Sequence, residues 1–295
     1  MVAGVVFLRK LIKYAHSLYL YLHYNLVGFN SKVKYLDEKS SFIVSLTTYG
    51  ERINLVDLVI KSILSQTCKP RGIYLWLSYR DFPCGHIPSK IKNLENYGVS
   101  IFFIDENIRS YKKIFYTYIE ALQMHGVEYI VTADDDVYYP NDWLELFKIK
   151  CSESKSANKK IVYCYRAQSI SFLSNTKVEC YREWELASGD LPSRKILPTG
   201  VSGICYPIDS LIGLDEQIFL SICPSTDDIW LKFLTLKNGY DSSLVMKQSI
   251  HFPPVLKPFS IPKKGLEIEN VLNDVNTISF NKCLEYFKLS KVDFL

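Results

Sequence analysis

Glu128-Tyr-Ile-Val-Thr-Ala-Asp-Asp-Asp-Val-Tyr-Tyr-Pro140 sets a short apolar run directly against three carboxylates. Residues 129–132 are β-branched and aromatic, and 128–132 has the pattern of a buried strand. Adjacent carboxylates repel one another, and near a strand end they are partly desolvated. A divalent cation is the natural remedy, because Mg2+ or Mn2+ takes oxygen ligands and can bridge to phosphates. If strand geometry persists, Asp134 and Asp136 share a face while Asp135 points elsewhere. The plain alternative is a solvated acidic turn ahead of a helix over 141–150. Placement behind a buried strand favours the ligand reading.

Three further strands precede this one. Ser41-Phe-Ile-Val-Ser-Leu-Thr47, residues 73–77 and residues 101–104 are short apolar runs bounded by turn signals. Asn54 is placed to cap a helix with Leu55, Leu58, Val59 and Ile63 on one face, and Lys69-Pro70 ends it. A second helix is predicted over 111–124. Strands alternating with helices of this length predict an α/β domain with a mostly parallel sheet, whose ligands sit beyond the carboxyl ends of the strands. Polar residues 151–160 read as a loop dividing the domain into two halves, 41–150 and 160–255. Residues 256–295 read as a helical extension.

The chain has 295 residues, 48% hydrophobic and 22% charged, which excludes a disordered or fibrous protein. Its net charge is +4, yet residues 1–36 carry Arg9, Lys10, Lys13, Lys32 and Lys34 with no acid. The remaining body is close to neutral, so no nucleic-acid partner is expected. Eight cysteines are scattered without a C-x-x-C pair, which predicts buried thiols in a reducing compartment rather than disulfides or zinc.

The first 40 residues form a separate basic, tyrosine-rich segment. An uncharged stretch over 15–31 holds Leu18, Tyr19, Leu20, Tyr21, Leu22, Leu26, Val27 and Phe29, interrupted by His16, His23, Asn25 and Asn30. These interruptions argue against a buried span and suit a helix lying in a membrane interface. A helix packed on the protein's own surface or on a partner subunit is the other reading. The expected location is cytoplasmic, peripheral to the inner face of a cell membrane.

Val44-Ser-Leu-Thr-Thr-Tyr-Gly-Glu-Arg52 followed by Ala133-Asp-Asp-Asp-Val-Tyr-Tyr-Pro140 resembles a bacterial sugar-nucleotide glycosyltransferase of the GT-A fold. The likeness is to family-2-like enzymes of surface polysaccharide (capsule or O-antigen) synthesis, and it covers roughly residues 41–255. It implies a Rossmann-like α/β domain, a nucleotide-diphospho-sugar donor and a glycan or lipid-linked glycan acceptor. The acidic triplet then matches the DxD motif, with Asp134 and Asp135 on the donor side and Asp136 with Asp134 on the metal.

Other elements follow in the order this resemblance implies. Leu197-Pro-Thr-Gly-Val-Ser-Gly-Ile-Cys-Tyr-Pro207 is similar to the glycine-bearing loop beside the transferred sugar, with Thr199, Gly200 and Gly203 as its candidates. Glycine there permits positive φ and close approach of backbone to a ligand; a plain turn into a strand is the bland reading. Ser225-Thr-Asp-Asp-Ile-Trp-Leu231 resembles the xED motif, placing Asp228 as catalytic base. Aspartate at 227 replaces the usual glutamate, so Asp227 stays a candidate, and either acid can cap the following helix. His251 sits where such enzymes place a further metal ligand, or is a satisfied core histidine.

Thr47, Thr48, Tyr49 and Arg52 follow the first strand, where the resemblance implies nucleobase and ribose contacts. In Asp105-Glu-Asn-Ile-Arg-Ser-Tyr-Lys-Lys113, the residues Asp105, Arg109 and Lys113, with Lys112, stand at a strand's carboxyl end. Basic groups at that place suit a diphosphate; a solvated basic face is the alternative. The expectation is a metal-dependent, inverting hexosyltransferase with UDP-linked donors as the default. Its rivals are a sugar-phosphate nucleotidyltransferase and a catalytically silent scaffold. The former calls for a glycine-rich basic loop after the first strand, where this chain offers only Gly50 and Arg52.

Overall fold

The computed structural model describes residues 2–26, 28–256 and 274–295. Its centre is a seven-stranded sheet in the order β3-β2-β1-β4-β8-β5-β9. The strands are β1 (Phe42–Thr47), β2 (Gly72–Ser78), β3 (Val99–Ile104), β4 (Tyr129–Ala133), β5 (Ile161–Cys164), β8 (Ile204–Pro207) and β9 (Asp241–Leu244). β6 (Ala167–Ser169) and β7 (Ile196–Pro198) form a separate antiparallel pair. All junctions in the large sheet are parallel except the two flanking β8, which runs against its neighbours. The mostly parallel α/β sheet expected from the sequence is present.

Among the described residues, eight α-helices accompany it: α1 (Val2–Leu26), α2 (Val56–Leu64), α3 (Ser89–Lys92), α4 (Lys112–Ala121), α5 (Trp143–Ser156), α6 (Phe219–Ile222), α7 (Asp227–Lys237) and α8 (Val275–Phe287). Alternate residues of β1 feed opposite cores. Val44 and Leu46 join α2 and the Trp143, Leu144 and Phe147 face of α5, while Ile43 joins Ile114 of α4, Phe233 of α7 and Phe280 of α8. Burial on both faces explains why these strands read as continuous apolar runs.

Several boundaries differ from expectation. Residues 151–156 are not loop: α5 runs to Ser156, with Cys151 and Ser154 buried at one-turn spacing beneath a polar outer face. Asn54 caps nothing; it ends a 3-10 turn (Gly50–Asn54), and α2 begins one residue after Leu55. All eight cysteines are free, and Cys84 is exposed rather than buried. The C-terminal extension contains α8, while the part of it over 257–273 lies outside the described residues.

The N-terminal segment is helical from Val2 and docks on the body. Lys61 Nζ donates to the Tyr24 carbonyl at 3.0 Å, and the Tyr24 ring stacks on Tyr138 with centroids 5.7 Å apart. Among the described residues, no helix is long and apolar enough to cross a membrane.

Candidate active site

The carboxyl ends of β1 and β4 lie side by side, with Leu46 paired to Ala133. Asp134, Asp135 and Asp136 leave the sheet from this rim. β4 ends at Ala133, so the alternation of the strand does not carry into the acids. One Arg52 guanidinium bridges both Asp135 and Asp136, the latter at 2.7 Å, whereas Asp134 pairs separately with Lys113 Nζ at 2.6 Å. The expected face, Asp134 with Asp136, is thereby replaced by Asp135 with Asp136.

Environment separates the three. Asp135 is 6% exposed and accepts a 2.5 Å bond from Thr48 Oγ1. Burial pushes its carboxyl up to about 6 against the pull of Arg52. Asp134 is also desolvated, but Lys113 outweighs this and holds it below the usual carboxylate range. Its backbone N–H donates to the Tyr139 hydroxyl at 2.7 Å, a link that fixes the turn after β4. Burial opposes the charge on Lys113, yet Asp134, Asp227 and Asp228 together raise its ammonium above the usual lysine range.

Asp228 arrives from the first turn of α7 and Gly200 from the loop before the reversed strand β8. The Gly200 N–H donates to Asp228 Oδ2 at 2.8 Å. A Cβ on Gly200 would lie 3.4 Å from Asp228 Oδ1, 3.4 Å from Lys113 Nζ and 3.5 Å from Asp134 Oδ1. Four residues far apart in sequence thus meet around one point. Burial and the neighbouring Asp227 push the Asp228 carboxyl up to about 8. Asp227 itself turns aside, accepting from Ser110 Oγ at 2.7 Å. Geometry therefore separates the two acids that the sequence left open.

The glycine loop is held from behind. A Cβ on Gly203, where φ is +97°, would lie 2.6 Å from Trp143 Cζ2, and the Trp143 Nε1 donates to the Ser202 carbonyl at 3.0 Å. Only glycine fits beneath that indole. Thr199 is buried and its Oγ1 accepts from an Arg166 guanidinium nitrogen at 2.8 Å. Thr47 Oγ1 donates to the Trp76 carbonyl, while Tyr49 is partly exposed with Arg52 5.4 Å from its ring centroid. Asp105 and Arg109 stand exposed after β3, and Lys112 is buried against Asp81 at 3.3 Å and Asn107 at 3.1 Å.

Asp134 and Asp136 offer hard oxygen donors on partly exposed side chains, a set that suits Mg2+ or Mn2+ completed by phosphate oxygens. Among the described residues no three His, Cys, Asp or Glu side chains gather into a ready cage, and the His251 ring reaches Asp134 as one of the charges that lower its carboxyl. The His251 Nδ1 lies 3.3 Å from Lys13 Nζ and 2.8 Å from the Phe252 carbonyl.

Sequence reasoning missed Tyr139, Ser110, Trp143 and Arg166 as supports of the site. Arg166 alone had a usable signal, a basic residue just beyond a strand's carboxyl end.

No protein-family model matches the chain, and no curated protein matches it. Among solved structures it is similar to S. aureus TarS 1-349 in complex with UDP-GlcNAc, at 11% identity and TM-score 0.47, covering 81% of this chain and 66% of that one. TarS 1-349 without that ligand aligns at 12% identity and TM-score 0.43 over 72% of this chain and 59% of its own. This chain thus spans about three fifths to two thirds of the TarS structures it resembles. 4-Diphosphocytidyl-2C-methyl-D-erythritol synthase from Anaerococcus prevotii aligns at 15% identity and TM-score 0.44, covering 80% of this chain and 95% of that one.

Proposed function

We propose that this chain is a glycosyltransferase that moves a sugar from a nucleotide-diphospho-sugar, UDP-linked by default, to a hydroxyl of a glycan or lipid-linked glycan. The observation that carries the reading is the convergence of Asp134, Lys113, Asp228 and Gly200 on one point at the sheet's carboxyl rim. A diphosphate and an acceptor hydroxyl can meet there.

In this reading Lys113 holds phosphate charge, and Arg52 and Thr48 order the acids beneath it. Asp228 Oδ takes the proton of the acceptor hydroxyl. The freed oxygen forms the bond to the anomeric carbon, and the bond from that carbon to the diphosphate breaks with its electron pair leaving on phosphate. Attack opposite the leaving group inverts the anomeric centre. A raised carboxyl suits the task, since a base works best with its pKa near the working pH. The backbone N–H of Gly200 fixes the carboxylate's orientation. A divalent cation held by Asp136 and Asp134 would supply charge neutralisation to the leaving diphosphate. Peripheral attachment of α1 to a cytoplasmic membrane face would place the enzyme beside lipid-linked acceptors.

The test is incubation of the full chain with radiolabelled UDP-, GDP-, CMP- and dTDP-sugars and Mn2+. Release of nucleoside diphosphate with labelled glycan supports the reading. Release of pyrophosphate from a sugar phosphate and a nucleoside triphosphate would replace it with nucleotidyl transfer, and silence with every donor would remove it.

A further inference from the structure

The N-terminal helix carries features that the catalytic rim does not use. Leu11, Tyr14, Leu18, Leu22 and Leu26 recur at three- and four-residue spacing on one face of α1, and all five are exposed. The opposite face, with Ser17 and Tyr24 buried and Leu20 and Tyr21 packed on the core, is the one that docks on the body. The fold therefore leaves an apolar stripe outward that it does not need.

A pocket of about 290 Å3 opens at the edge of that stripe, lined by Ile12, Lys13, His16, His251 and Pro253. Lys13 Nζ stands 3.3 Å from His251 Nδ1, which also faces the Phe252 carbonyl at 2.8 Å, so an ammonium and an imidazole, two groups that can meet an anion, stand side by side. His16 adds a third on the same helix, one turn from Ile12. Residues 1–36 hold five basic residues and no acid, which matches a negatively charged surface and repels a positive one. The floor of the pocket is tied to the acid run: the Tyr138 N–H donates to the Pro253 carbonyl at 2.9 Å and the Val255 N–H to the Asp136 carbonyl at 2.8 Å.

We propose that α1 lies in the surface of an anionic bilayer and that Lys13, His16 and His251 hold the phosphate of a lipid headgroup in this pocket. The apolar stripe supplies burial at the headgroup boundary, and the pocket supplies directed charge-assisted bonds at the same depth. Through the 251–255 segment, an occupied pocket abuts the backbone of Asp136 and Tyr138. This site stands on α1 and His251 and does not depend on the transfer reaction.

Flotation of the full chain tests it, with phosphatidylcholine vesicles carrying either phosphatidic acid, a phosphate monoester, or phosphatidylglycerol at matched surface charge. Wild type floats with both and more tightly with phosphatidic acid. Lys13→Met loses about tenfold or more on phosphatidic acid, as expected for a direct bond to a charged group. Lys32→Met removes the same charge outside the pocket and loses about fivefold or less on either vesicle. His251→Gln, which leaves α1 intact, reproduces the selective loss. Equal losses for Lys13→Met and Lys32→Met would reduce the pocket to diffuse charge and overturn the proposal. So would equal wild-type binding to the two anionic vesicles. Inorganic phosphate binding as tightly in solution as the vesicle does, and lost in Lys13→Met, would assign the site to a soluble anion instead. No arm reads sugar transfer, so failure here and failure of the transferase reading remain separate results.

Discussion

Two acidic clusters face the same rim and are treated oppositely. At the end of β4, two cations serve three carboxylates: Arg52 spans Asp135 and Asp136, and Lys113 takes Asp134. At the start of α7, Asp227 accepts from the Ser110 hydroxyl, and Asp228 shares a Lys113 that is already bonded to Asp134. In the first cluster Lys113 holds Asp134 charged, while burial keeps Asp135 raised to about 6 despite Arg52. The second holds a carboxyl up to about 8, ready to accept a proton. Identical side chains acquire different chemistry from the placement of two cations, more than from any acidic motif.

The largest expected effect breaks the second cluster. Asp228→Asn removes the base and lowers transfer by about 10³-fold, with donor affinity by calorimetry unchanged. In wild type, kcat/KM rises with pH up to about 8 and then levels, and this limb disappears in the variant. Stability follows the opposite sign. A carboxyl raised in the folded state binds a proton that the unfolded chain has released, so wild-type stability falls as pH climbs from the usual carboxylate range through about 8. Asp228→Asn escapes that fall and melts higher than wild type above pH 8. Parallel melting profiles for the two proteins across this window would show that the clusters do not differ as described.

Lys113→Met strikes both clusters at once. Loss of the shared cation leaves Asp134 uncompensated at about 3–5 kcal/mol in urea unfolding. It also moves the rising limb of transfer to higher pH, because Asp228 loses the charge that eases its ionisation. Arg52→Lys keeps the charge and loses the double bridge, at about 1.5 kcal/mol. Carboxyl carbon NMR would then show the Asp135 titration moving above about 6. Thr48→Val is the mildest change, about 1 kcal/mol, with the same upward movement of Asp135 and none at Asp228.

Much of this molecule was legible in the chain itself. β1, β2 and β4 appear as apolar runs because both faces of each are covered, and the acid run stands out because it interrupts such a run. The glycine loop and the Asp227-Asp228 pair are equally visible. Short strands were mostly not: β5, β6, β7 and β9 have three or four residues each, too few for a period to register, and β8 showed only as the strand behind the glycine turn. The tail of α5 hid behind its polar outer face, with only Cys151 and Ser154 turned inward. Arg52 and Lys113 were expected near a donor, and they stand instead on the acids that would share it. Arg52 meets Asp135 across 83 positions, a contact set by strand register rather than by any local pattern. The Lys13–His251 approach spans 238 positions and is still less accessible to sequence reasoning.

The reversed strand β8 has a consequence for how this scaffold tolerates change. Because β8 starts where β4 and β5 finish, with Ile204 paired to both Thr132 and Cys164, the loop that leads into it opens on the working rim. Its own exit at Pro207 falls on the opposite rim, together with the Gly239 turn between α7 and β9 and the Gly126 turn before β4. Among the described residues, one rim thus carries the candidate site and the other carries connections. Insertions, tags or new chain ends placed at the Gly126 or Gly239 turns meet none of the groups around Gly200, and a Cβ added at Gly239 would have no atom within 4 Å. For the engineer, a single inverted strand has sorted the loops of this domain into those that can be rewritten and those that cannot.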